Sequence, residues 1–166
     1  MIFRLLRKYS DDSEQRNISI YFIQLRMSKL IYIDTNVYID YFDERSYGFR
    51  PANEFAFILI KRAMSCEFKL VFSDHLLKEL TKHIHKDKVF DLLDLLKTKD
   101  KIVKINTTNG VKRLASEISR SKLIHYADAL HYALALTIHA EAIITNDKEF
   151  LNINSEDIII MFPNDI

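Results

Sequence analysis

The sequence predicts an α/β fold: a five-stranded, mainly parallel sheet with helices on both faces. Three observations carry this. Short apolar runs rich in Ile and Val alternate with longer segments of helical period along the 166-residue chain. The runs are apolar throughout rather than alternating, as strands buried on both faces are. Apolar residues make up 48% and charged residues 28%, the balance of a soluble domain large enough to bury a real core.

Residues 29–33 form the first strand. A helix follows from about Asn36 to Arg45, with Val37, Ile39, Tyr41 and Phe42 mostly on one side. Pro51 opens a second helix, where its missing N–H costs nothing, and this runs to about Cys66. Residues 68–72 are the second strand, and Ser73 or Asp74 caps a helix carrying Leu76, Leu77, Leu80 and Ile84. A leucine-rich helix spans 89–96, with Asp91 and Asp94 on its polar side. The third strand is 102–105, followed by a helix at 111–121 capped by Thr107 or Thr108. An Ala/Leu helix covers 126–139, the fourth strand 142–145 and the fifth 158–162. Residues 1–26 differ in character: a basic stretch, a polar stretch and an apolar one. They read as an N-terminal extension of uncertain structure, with the compact domain at 27–166.

Composition narrows the chemistry. Two Gly and two Pro leave no Gly-rich phosphate cradle, and neither a dinucleotide fingerprint nor a P-loop is present. A single cysteine, Cys66, excludes an internal disulfide and a Cys-based zinc site, and it fits a reducing cytoplasm. No run approaches the length of a membrane span. The net charge of +1 excludes a polycation. The cluster Lys97, Lys99, Lys101, Lys104, Lys112, Arg113, Arg120 and Lys122 offers either a solvated face or a contact for a nucleic-acid backbone.

Four acids sit at predicted element ends: Asp34 after the first strand, Glu79 on the helix after the second, Asp128 at the start of the Ala/Leu helix, and Asp147 after the fourth strand. In open α/β sheets such ends converge on one crevice. Two carboxylates about 4 Å apart at an effective dielectric near 20 repel by about 4 kcal/mol, so a cation or protons must offset them. An oxygen-only donor set suits Mg²⁺ or Mn²⁺, which activate water and polarise phosphoryl oxygens. Singly, each acid has a bland meaning: Asp34 and Asp128 as helix caps, Glu79 as a surface acid paired with Lys82 or His83, and Asp147 as a turn residue. Jointly these require four coincidences. Asp40, Asp43 and Glu44 are expected in solvent, and Tyr38, Tyr41 and Phe42 in core or dimer packing. His83 and His85, two apart, face different sides of their helix. His125, His131 and His139 are expected at the surface or in interfacial packing.

These residues resemble the PIN-domain family of nucleases. The matches are Ile33-Asp34-Thr35-Asn36, Leu77-Lys78-Glu79-Leu80, Asp128-Ala129-Leu130 and Thr145-Asn146-Asp147-Lys148-Glu149-Phe150, in this order and with these strand contexts. The resemblance covers about residues 29–162. It implies a three-layer α/β/α domain with a Mg²⁺- or Mn²⁺-dependent site for single-stranded nucleic acid. Among small members the likeness is to VapC-type toxins, endoribonucleases that are usually homodimers silenced by an antitoxin protein. Carried over by position, Asp34, Glu79, Asp128 and Asp147 are the metal-binding catalytic quartet. Thr35, Asn36 and Thr145 are supporting residues, and Glu149 is a further acid. The expectation is a cytoplasmic, metal-dependent endoribonuclease acting on RNA. The alternative is a non-catalytic PIN-like module that binds RNA or protein. A phospho-aspartate enzyme ranks last, because no second acid follows Asp34 closely.

Overall fold

Successive side chains of the central strands fill two different cores. In β1 (Leu30–Ile33), Ile31 and Ile33 enter one cluster and Tyr32 the other. In β4 (Lys69–Ser73) the split is Leu70 and Phe72 against Val71, and in β6 (Ala142–Ile144) it is Ala142 and Ile144 against Ile143. Both faces are therefore buried, which is why these strands read as unbroken apolar runs. The computed structural model describes residues 29–43, 46–47, 50–153 and 157–165. The expected extension at 1–26 and the boundary at 27 lie outside them.

The sheet has the order β5–β4–β1–β6–β7, with β5 at Ile102–Ile105 and β7 at Ile159–Met161, and every pairing is parallel. Helices α1 (Thr35–Phe42), α2 (Ala52–Met64), α3 (Asp74–His83) and α4 (Lys86–Thr98) pack on one face. Helices α5 (Asn109–Lys122) and α6 (Tyr126–Thr137) pack on the other, completing the three-layer α/β/α arrangement. The chain leaves β1 toward β4 and β5, then returns to the opposite side of β1 for β6. The β1/β6 junction is thus the topological switch, and the crevice beyond its carboxyl ends is the place where such sheets bind ligands.

Three local expectations are revised. A two-residue antiparallel ladder, β2 (Ser46–Tyr47) with β3 (Arg50–Pro51), precedes α2, so Pro51 pairs with Ser46 and the helix starts at Ala52. Proline tolerates that place because a short edge ladder does not need its missing N–H. Helix α1 ends at Phe42; Arg45, the expected end, lies outside the described residues. Asp40 is not in solvent: it is buried and accepts a 2.6 Å bond from Asn146 Nδ2. Tyr38 does lie in the core, edge-on to Phe72 at 5.9 Å. Among the described residues no helix is long and apolar enough to cross a membrane.

Candidate functional site

Asp34 takes its place because β1 stops there and α1 starts. Its Oδ1 accepts the Thr35 backbone N–H at 2.6 Å, capping α1. Its Oδ2 accepts Asn36 Nδ2 at 2.8 Å and Thr145 Oγ1 at 2.7 Å. Capping and site placement are therefore not rivals here; the same carboxylate does both. Thr145, fully buried at the end of β6, also accepts the Asp147 N–H at 2.9 Å and Asn36 Nδ2 at 3.2 Å. Asn36 Oδ1 accepts the Asn146 N–H at 3.1 Å. The ends of β1 and β6 are thus stitched together by side chains, and the lattice ties Asp34 to Asp147. Asp147 in turn caps a short 3-10 helix (Lys148–Asn152) by accepting the Glu149 N–H at 2.8 Å.

Glu79 reaches the same place from α3. Its Oε2 accepts Thr35 Oγ1 at 2.6 Å and lies 2.8 Å from His131 Nε2. Burial alone would raise the Glu79 carboxyl, but the bonds from His131 and Thr35 outweigh it and hold the pKa at about 2. Its expected partners, Lys82 and His83, line the cleft instead. Asp128 stands in the first turn of α6. Asp34, Glu79, Asp128 and Asp147 all border one cleft of about 220 Å³, together with Thr35, Asn36, Lys82, His83 and His131. A larger hollow of about 540 Å³ lies elsewhere, lined by Tyr41, Phe42, Asn53, Glu54, Phe57 and Lys88; with one carboxylate it lacks the charge for metal chemistry.

Asp128 records the repulsion inside the cleft. Burial raises its pKa first, and the charges of Asp147, Asp34 and Glu149 raise it further, to about 6. The raised value means that stability gained by protonation is fully present below the ordinary carboxylate pKa of about 4 and is lost as pH rises through 6. After allowance for solvent screening this amounts to about 1–2 kcal/mol, or roughly 2–8 °C in Tm for a chain of this size. Metal-free protein should therefore melt lower at pH 7.5 than at pH 5, and Asp128→Asn should flatten that step. An equal step in the variant would contradict the assignment.

His131 was expected at the surface or in an interface, yet it is almost fully buried in the middle of the site. Every residue of α6 from 129 to 135 is buried, so this stretch of the helix has no solvent face. A polar ring inside it must find partners. Nδ1 meets Tyr32 Oη at 2.8 Å, and Tyr32 Oη meets Ser73 Oγ at 3.2 Å. One assignment satisfies every proton. The Leu76 N–H donates to Ser73 Oγ at 3.0 Å, Ser73 donates to Tyr32, Tyr32 to His131 Nδ1, and His131 Nε2–H to Glu79. Nε2 is also 3.5 Å from Asp34 Oδ1. Burial lowers the His131 pKa, but the Glu79 bond and the charges of Asp34, Glu79 and Asp128 raise it by more. A lone histidine in an otherwise Ala/Leu helix was the available sequence signal.

The donor set fits a hard divalent cation. The acids supply oxygens only, and Asp34, Asp147 and Glu149 set like charge against Asp128. Among the described residues, the three ligand atoms that lie within 4.8 Å of one another belong to His75, Glu79 and His131, so Glu79 is shared with that group and Asp34, Asp128 and Asp147 stand outside it. The acids are more open, as suits an ion that keeps waters and takes substrate oxygens.

A family model for the PIN domain matches residues 31–156, which hold all four acids. The chain belongs to the PIN-domain family. Solved structures similar to this PIN domain include VapBC2 from Rickettsia felis bound to a DNA fragment of its promoter, at a TM-score of 0.56 and 17% identity, over 80% of this chain and 98% of that one. A toxin–antitoxin complex from Klebsiella pneumoniae has a TM-score of 0.56 and 19% identity, over 82% and 98%. VapC20 of Mycobacterium tuberculosis, a toxin that cleaves the sarcin–ricin loop, has a TM-score of 0.56 and 14% identity, over 78% and 98%. At such identities the likeness is one of fold. No curated protein matches the chain.

Proposed function

We propose that this PIN domain is a Mg²⁺- or Mn²⁺-dependent endoribonuclease that hydrolyses RNA phosphodiester bonds. The observation that carries the reading is the gathering of Asp34, Glu79, Asp128 and Asp147 around one cleft at the topological switch of the sheet. Asp34, Asp128 and Asp147 would hold the cation, with Glu79 binding it or positioning water. The bound ion supplies a water of lowered pKa and polarises the phosphoryl oxygen. Thr145, Asn36 and Thr35 hold Asp34 and Glu79 in place through the bonds described above. Lys82 and His83 line the cleft where a substrate phosphate would lie. Glu149, whose charge raises Asp128, is the further acid, and His125 Nε2 lies 3.6 Å from its Oε1.

The VapBC and VapC likenesses support placing the activity in a toxin–antitoxin pair. The partners would be RNA, an antitoxin protein and a second copy of the chain, in the cytoplasm. A small DNA-binding protein encoded next to this gene is the expected genomic companion. The alternative, a PIN-like module that binds RNA or protein without cutting, is separated by one experiment. Single-stranded RNA incubated with the purified chain across Mg²⁺ and Mn²⁺ titrations should be cleaved. Saturable RNA binding with no turnover at any concentration would favour the module.

A further inference from the structure

We propose that His75, Glu79 and His131 form a second cation site, suited to a borderline first-row divalent ion of the Zn²⁺ class, beside the oxygen-lined cleft. His75 and Glu79 are four residues apart on α3 and share one helix face, while His131 comes from α6 across the sheet edge. One ligand atom from each lies within 4.8 Å of the others. The His75 Nε2 atom is buried and has no hydrogen-bond partner among the described residues. It lies 3.4 Å from Glu79 Oε1, near enough for an ion pair but outside hydrogen-bond geometry. A buried ring nitrogen beside a carboxylate, with no protein hydrogen bond among the described residues, is free to ligate an ion.

Chemistry sets this place apart from the acid cleft. Two imidazole nitrogens and one carboxylate are a zinc-type set, whereas Mg²⁺ prefers oxygen. His131 is also oriented as metal-binding histidines are, its other ring nitrogen fixed by a buried partner. That partner is Tyr32 Oη at 2.8 Å, itself 3.2 Å from Ser73 Oγ. When an ion takes Nε2, the ring proton moves to Nδ1 and is donated to Tyr32, whose hydroxyl turns to donate to Ser73 Oγ, so that the Ser73 proton leaves that bond. The His131–Glu79 hydrogen bond is replaced by two bonds to the same ion. Because Glu79 borders both places, the ion competes with the nuclease metal for this carboxylate. That competition rests on the proposed nuclease reading; the binding itself does not.

Co²⁺, a coloured stand-in for Zn²⁺, tests this on the full chain after chelation. Visible absorption should report one site from which Zn²⁺ displaces Co²⁺. Asp128→Asn should keep it. His75→Ala should weaken it by at least the roughly 10–100-fold lost when a group that merely supports a ligand is removed. His75→Gln serves should the alanine variant not fold. Zn²⁺ should inhibit Mg²⁺-dependent RNA cleavage more strongly in the unaltered protein than in His75→Ala, each measured against its own rate without Zn²⁺. Equal Co²⁺ affinity in His75→Ala, or a signal lost in Asp128→Asn and kept in His75→Ala, would overturn the proposal. Absence of RNA cleavage under every ion would sink the nuclease reading alone, because the Co²⁺ signal is read without RNA.

Discussion

Asp34→Asn is expected to lower RNA cleavage at least about a hundredfold, the scale of losing one preorganised charge at a reacting centre. The carboxylate is gripped by three donors: the Thr35 N–H on one oxygen, Asn36 Nδ2 and Thr145 Oγ1 on the other. Either orientation of an asparagine amide sets its NH₂ against at least one of those donors. That local conflict costs about 1–3 kcal/mol, within the 5–15 kcal/mol that a domain typically holds. The fold should survive, as circular dichroism would show. Asp128→Asn is the companion test because its stability effect runs the other way. It removes a carboxyl raised to about 6 by burial and by its acidic neighbours. A variant that is inactive yet melts no lower than the unaltered protein at pH 7.5 separates chemistry from folding. Retention of cleavage by both variants would refute the acid site.

His131→Leu should destabilise the domain by about 1–3 kcal/mol, roughly 2–12 °C in Tm. Leucine fills much of the ring's volume, so the loss reports hydrogen bonds more than packing. Tyr32 Oη, buried between strands, keeps only Ser73, and Glu79 keeps Thr35 but loses its 2.8 Å bond to the imidazole. His131→Gln, which retains a donor, should recover part of the loss. Urea unfolding measures both. A leucine variant as stable as the unaltered protein would show that the Ser73–Tyr32–His131–Glu79 chain contributes nothing.

The sheet was legible because burial on both faces leaves a plain mark: short runs of Ile, Val and Leu with polar ends. That the four acids share one cleft was legible for a related reason. A parallel sheet brings strand ends to one edge, so residues more than a hundred apart in sequence, Asp34 and Asp147, become neighbours through Thr145 and Asn36. His131 was not legible as a site residue. Its partners Tyr32, Ser73 and Glu79 come from three other elements, and helical period says only that α6 is buried. Asp40 was misread because its partner, Asn146, lies over a hundred residues away across the switch point. The β2–β3 ladder escaped because two-residue strands carry no periodicity.

The most direct test of the central claim is cleavage of a single-stranded RNA by the chelated protein as Mg²⁺ is restored, run beside Asp34→Asn. The acid cleft predicts no cleavage in EDTA, recovery on adding Mg²⁺ or Mn²⁺, and no recovery in the variant. Full activity in EDTA would contradict it.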